Sequence, residues 1–268
     1  MLTYRASLDV SRDLTQRIAR LLSIHRSLIG TRRHRRVLGC FDQAVLLLRF
    51  MRQRTAVADL ARDNGISLST AYRYLHEALD VVAAEAPRLD EVVVQAAQDD
   101  FEHLLLDGTL IATDRVHDVG AGPDRWYSGK HKRHGGNIQV VCDPDGRPLW
   151  VSPVEPGRTH DLAAARRHVL PALYPTAARG LPVLADKGYT GAGAGIRVPV
   201  RRTRRGQILD RSTRGWNSYV NSTRAFVEHG IAHLKIRWRA LSRISLCPWR
   251  ISAIMATALV LSSWENRY

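Results

Sequence analysis

Three carboxylates have the residue type and the setting to do chemistry: Asp107 in HLLLDGTLIATD, Asp186 in LPVLADKGYTGAG and Glu228 in TRAFVEHGIAHLKIRW. The first two lie where short apolar runs meet glycine-containing turns, as acids at strand ends do. The third lies inside a long amphipathic helical pattern. Acids gathered from strand ends and a helix are what a divalent-metal site for phosphodiester chemistry requires. Mg²⁺ is a hard cation that takes oxygen ligands, and two such ions can clamp both the attacking and the leaving oxygen. Taken singly, Asp107 and Asp186 read as ordinary turn residues. Glu228 has companions: spacings of four and seven put Arg224, Glu228 and Lys235 on one helix face. An exposed Arg–Glu pair at this spacing contributes only about 0.3 kcal/mol, so the sharper expectation is that Glu228 binds metal while Arg224 and Lys235 meet DNA phosphate.

The elements that must position these acids can be read along the chain. Residues from about 8 to 86 are expected to be helical, interrupted by the basic stretch GTRRHRRVLG. A pause at Ala86-Pro87 puts the domain boundary around residues 87–98, which separates a helical domain over 1–90 from an α/β domain over 98–268. In the second part HLLLDGTLIA reads as a first strand, and GGNIQVVCD and RPLWVSPV flank a Pro144-Asp145-Gly146 hairpin turn. HDLAAARRHVLPAL is expected as one helix with Thr159 as its N-cap. LPVLAD and IRVPV read as short strands, and two helices close the chain, from about Tyr219 to Arg239 and from about Arg250 to Glu265. The order suits a mixed sheet with helices packed on it.

Ahead of the acids, TAVADLARDNGISLSTAYRYLHEAL (about 55–80) has the form of a helix-turn-helix. Val57, Leu60 and Ala61 are the buried face of its first helix, Gly65 permits the turn, and Ser67 and Ser69 can cap the second. That second helix presents Ser69, Thr70, Tyr72 and Arg73 outward, where a major groove would receive them. The RRHRR run before it could hold the phosphate backbone.

Composition asks for the same partner. Forty Lys+Arg against 25 Asp+Glu give a formal charge of +15 over 268 residues, with a pI near 10.6. Such a surface implies a polyanion, nucleic acid first. Two basic segments flank the acids: residues 126–134, which interleave aromatics with Lys130, Lys132 and Arg133, and the cluster from Arg197 through Arg205. Both read as a phosphate track. At 45% hydrophobic residues the chain can build a core. Cys40, Cys142 and Cys247 form no CxxC pair and fit a reduced cytoplasm rather than a disulfide or zinc scaffold. The start of the sequence lacks the apolar core of a signal peptide, and ISAIMATALVLSS is too short to span a bilayer.

In this order the LDGT, YSGKHKRHG, GxxHD, LADKGY and VExxIxxLK blocks, behind a helix-turn-helix, resemble a bacterial insertion-sequence transposase of the DDE superfamily, in the branch related to the Harbinger elements. The resemblance covers nearly the whole chain. It implies an RNase H-like catalytic domain with Asp107, Asp186 and Glu228 as catalytic and metal-binding acids, Asp107 bridging two Mg²⁺ ions (or Mn²⁺). The implied partners are double-stranded DNA, both terminal inverted repeats and target, and a homodimer or higher assembly that pairs two ends. Related bacterial elements carry a Tyr-Arg-Glu-Lys helix pattern; here the tyrosine position is Asn221. His160 and Asp161 form a recurring block outside the triad, with Asp161 as the reserve second acid. An idle, DNA-binding descendant and a nuclease that cuts without joining are the competing expectations.

Overall fold

A computed structural model describes residues 7–32, 35–115, 124–202 and 208–265. The chain divides into two compact units: Met1–Ala86 with Lys235–Ser242 and Ala253–Tyr268, and Pro87–Leu234 with Arg243–Ser252.

The first unit is helical. Ser11 caps α1 (Arg12–Leu28) by accepting from the Leu14 amide at 3.0 Å, and the helix buries Leu14, Ile18 and Leu22. α2 (Cys40–Gln53) buries Leu46, Leu47, Leu48 and Met51. α3 (Val57–Asp63) and α4 (Leu68–Ala83) follow, with Gly65 at φ +61° in the turn between them. Val57, Leu60 and Ala61 are buried as their spacing requires. Ser67 accepts from the Thr70 amide at 3.3 Å and so stops α4 from fraying at its start. The last helix, α9 (Ile251–Glu265), is apolar on nearly every face and buried from Ile254 to Leu261 at most positions. Among the described residues no helix is long and apolar enough to cross a membrane.

Of the basic run before α3, Arg33 and His34 lie outside the described residues. Arg36 is committed within the fold: its guanidinium forks onto Glu77 at 2.7 and 3.1 Å, and Gln43 donates to the same carboxylate at 2.9 Å. A half-buried carboxylate of this kind needs such partners, which leaves Arg36 unsuited to the phosphate role expected of it.

The second unit is a mixed α/β domain. Residues 87–98, expected as a boundary, contain α5 (Leu89–Gln98), whose Leu89, Val92, Val93 and Ala96 recur at helical spacing and are buried. β1 (Leu104–Ala112) is the central strand. It pairs antiparallel with β3 (Arg133–Cys142) and parallel with β6 (Val183–Ala185). β3 pairs antiparallel on its other side with β2 (Tyr127–Ser128), β4 (Pro148–Val151) and β5 (Glu155–Pro156), and β6 pairs parallel with β7 (Ile196–Arg197). The β3–β4 hairpin turns where expected, with Gly146 at φ +83° and its backbone tight against Phe226. One sheet face, carrying Leu104, Leu106, Val141, Val183 and Ala185, packs on α5 and on α6 and α7 described next.

Three boundaries differ from expectation for local reasons. The helix expected over HDLAAARRHVLPAL is two, α6 (Asp161–His168) and α7 (Leu170–Ala178). Pro171 cannot donate a backbone hydrogen bond, so the chain breaks at Val169, φ −123°. The N-cap of α6 is His160, whose Nδ1 accepts from the Leu162 amide at 3.4 Å, rather than Thr159. α8 (Arg211–Arg237) begins eight residues before Tyr219, because Asp210 accepts from the Thr213 amide at 2.9 Å and from the Ser212 hydroxyl at 2.8 Å.

Candidate active site

Asp107 is not at a strand end; it sits inside β1, opposite Val140 of β3. The strand that ends is β6. Its last pair is Ala185 with Leu106, so one step further along two parallel strands Asp107 and Asp186 stand side by side. Neighbouring strands are about 4.8 Å apart and side chains at one level share a face. Alternation points Leu104 and Leu106 into the core under α5–α7, and Asp107 to the opposite face.

Each acid has a short-range tether. Asp107 Oδ1 accepts from the Gly108 amide at 2.8 Å. Asp186 caps a 3₁₀ turn, Lys187–Tyr189, with its Oδ1 accepting from the Gly188 amide at 2.6 Å. Burial pushes the Asp107 carboxyl up to about 6; the charges of Asp186 and Asp161 add to this, while the Gly108 amide and Arg224 oppose it.

Asp161, the first residue of α6, belongs to the same charge cluster. Its Oδ2 accepts from Lys130 Nζ at 2.7 Å and its Oδ1 from Asn137 Nδ2 at 2.7 Å. Behind it runs a buried hydrogen-bond chain. The Tyr189 hydroxyl donates to Gln139 Oε1 at 2.7 Å, and Gln139 Nε2 donates to Asn137 Oδ1 at 2.9 Å. Burial, then the charges of Asp107, Asp161 and Asp186, raises the Tyr189 phenol well above its ordinary range, which keeps the proton it donates. The chain passes beside Gly108: a Cβ there would lie 2.6 Å from Asp161 Oδ1 and 2.9 Å from Gln139 Nε2. Burial works to strip the proton from Lys130, but the Asp161 hydrogen bond and the charges of Asp161, Asp186 and Asp107 outweigh it and hold the ammonium charged.

Glu228 comes from α8 and is exposed. Its Oε1 accepts from Arg224 at 3.0 Å, and the same guanidinium nitrogen lies 4.0 Å from Asp186 Oδ2. Arg224 thus stands between the helix acid and the strand acid. Its Nε is buried with no hydrogen-bond partner among the described residues. Asp107, Asp161, Asp186, Lys130 and Arg224 are brought together, and Glu228 joins through Arg224. Among the described residues no three potential ligands stand close enough to hold an ion as placed. The donor chemistry nonetheless fits a hard divalent cation: carboxylate oxygens gathered in a half-buried place where like charges already disfavour ionisation.

The other expected residues lie elsewhere. Lys132, at φ +51°, and Arg133 are exposed at the start of β3. Lys235, half-buried, is counted with the first unit, as are Ser69, Tyr72 and Arg73, exposed on α4, and Thr70, partly covered. Thr203, Arg204 and Arg205 of the second basic cluster lie outside the described residues. Asn137, Gln139 and Tyr189 were not singled out from sequence. The signal was there: two amides at alternate positions of the otherwise apolar strand GGNIQVVC.

The chain is thus a mixed α/β protein whose acids gather beside the end of a parallel strand pair, with an arginine and a glutamate supplied from α8. Comparison with known families matches residues 106–263 to the DDE superfamily endonucleases. That match spans more than half of the chain, and the chain belongs to this family. Comparisons with curated proteins and with solved structures found no match.

Proposed function

We propose that the chain is a DDE transposase that cuts DNA at the ends of its element and joins the freed ends to target DNA. The observation that carries this reading is the side-by-side placement of Asp107 and Asp186, with the Arg224–Glu228 pair reaching toward Asp186. A divalent cation, Mg²⁺ or Mn²⁺, held by Asp107, Asp186 and Glu228, would supply positive charge to the attacking and leaving oxygens of an in-line displacement. Glu228 must exchange Arg224 for the ion, which frees the guanidinium for phosphate. Lys130, kept charged by Asp161, adds a second cation beside the acids.

Two displacements follow. In the first a water oxygen bonds to phosphorus, the P–O3′ bond breaks, and the strand leaves with a 3′-hydroxyl. In the second that hydroxyl attacks a target phosphate, so one phosphodiester forms as another breaks and no protein–DNA bond is needed. The α3–turn–α4 pair acts as a helix-turn-helix, with Ser69, Thr70, Tyr72 and Arg73 entering the major groove of the terminal repeats. Pairing two ends calls for at least a dimer.

A joining assay tests the proposal. Labelled duplexes of the element's ends, carrying a ready 3′-hydroxyl, should become linked to a plasmid in the presence of Mg²⁺. Glu228→Gln should lose joining yet bind the ends. Cutting without any joining would reduce the protein to a nuclease.

A further inference from the structure

A cavity of about 670 Å³ opens beside Asp161, within the second unit, and its wall includes Lys130, Asn137 and Asp161 of the cluster described above. Its other walls are different in kind. Tyr127, 41% exposed on the edge strand β2, lines it with an aromatic ring that meets the His134 ring edge-on at 5.2 Å. Asp124 Oδ2 fixes that histidine by accepting from its Nε2 at 2.7 Å. Arg158 lines it as well, exposed and held by no carboxylate among the described residues. Gly157 brings the backbone close, since a Cβ there would lie 2.4 Å from the Gly135 carbonyl oxygen.

We propose that this cavity receives one unpaired nucleotide of the DNA strand engaged by the acids. The volume lies in the range of pockets that enclose a small ligand, and a paired duplex is far too wide to enter it. The lining matches the parts of a nucleotide: Tyr127 offers a face on which any base can stack, and Arg158 is a guanidinium free to meet phosphate. Lys130 and Asp161 belong both to the cavity and to the acid cluster, so a nucleotide seated here would have its neighbouring phosphate at the acids. A base inside a duplex is covered by its neighbours, so entry requires extrusion or a strand already unpaired. The proposal rests on the reading that the acids act on DNA.

Two duplexes distinguish it, one carrying a single bulged nucleotide and the other fully paired, bound to the full chain in EDTA so that nothing is cut. The bulged duplex should bind about fivefold or more tightly than the paired one. Tyr127→Ala should remove the preference, and Tyr127→Phe should keep it. Equal affinity for the two duplexes, or a preference that survives Tyr127→Ala, overturns the proposal. The failures separate cleanly: a parent that nicks DNA with added Mg²⁺ but shows no preference defeats the cavity and spares the DNA-cutting reading. A Tyr127-dependent preference with nicking that survives Asp107→Asn does the reverse.

Discussion

Asp107 follows Leu106 within β1 and Asp186 follows Ala185 just past the end of β6, so the Leu106–Ala185 pair brings the two acids to one level. A shift of one residue in that register would turn one of the two to the other face of the sheet. The acid pair is therefore fixed by the apolar residues behind it, Leu104, Leu106, Val183 and Ala185, all buried in one core.

Holding two carboxylates this way has a measurable consequence. The Asp107 carboxyl is raised to about 6, first by burial and then by Asp186. A carboxyl raised in the folded state favours the fold while protonated. Its contribution is complete below the unfolded value near 3.8 and is lost as pH rises through about 6. Asp107→Asn cannot ionise, so in metal-free buffer it should be more stable than the parent above pH 6, by up to about 3 kcal/mol. Below pH 4 the difference should vanish. Thermal melts of the two proteins across that range check this, and a variant that melts lower than the parent at pH 7.5 contradicts it.

Gly108 is where the Asp161 side chain and the Tyr189–Gln139–Asn137 chain pass closest to β1. Gly108→Ala puts a methyl group against Asp161 and Gln139. It should cost about 1–3 kcal/mol of stability and reduce cutting on the order of tenfold or more, through displacement of Lys130 and Asp161. A variant with parental melting temperature and cutting rate would show that the crowding is harmless.

The residues proposed to read DNA predict a separation of effects. The combined variant Ser69→Ala, Thr70→Ala and Arg73→Ala should still bind duplex DNA through phosphate contacts. Selection from random duplexes should enrich one sequence with the parent and none with the variant. Enrichment of the same sequence by both would remove α4 from the recognition surface.

Sequence carried much of this because the relevant patterns are local. The apolar runs before Asp107 and Asp186, the Pro144-Asp145-Gly146 turn and the Val57, Leu60, Ala61 spacing each specify their element within a few residues. Three departures have a different cause, partners distant in sequence. Asp107 looks terminal in LDGT, yet β3 continues to pair with β1 past it as far as Ala112. Arg36 looks like one more free cation until Glu77, forty-one residues later, receives it. Asp161, a helix-start acid in sequence, joins the cluster only because Asn137 and Lys130 arrive from β3 and the turn before it.

Nicking of supercoiled plasmid by the parent and by Asp107→Asn, Asp186→Asn and Asp161→Asn, with Mg²⁺ and with EDTA, decides whether the two neighbouring acids cut DNA. The parent should nick with Mg²⁺ and be silent in EDTA. Asp107→Asn and Asp186→Asn should each lose on the order of a thousandfold or more, with Asp161→Asn losing less, since it positions Lys130. Parental nicking by Asp186→Asn, or nicking by the parent in EDTA, would contradict the assignment of the paired strand acids as the site of cutting.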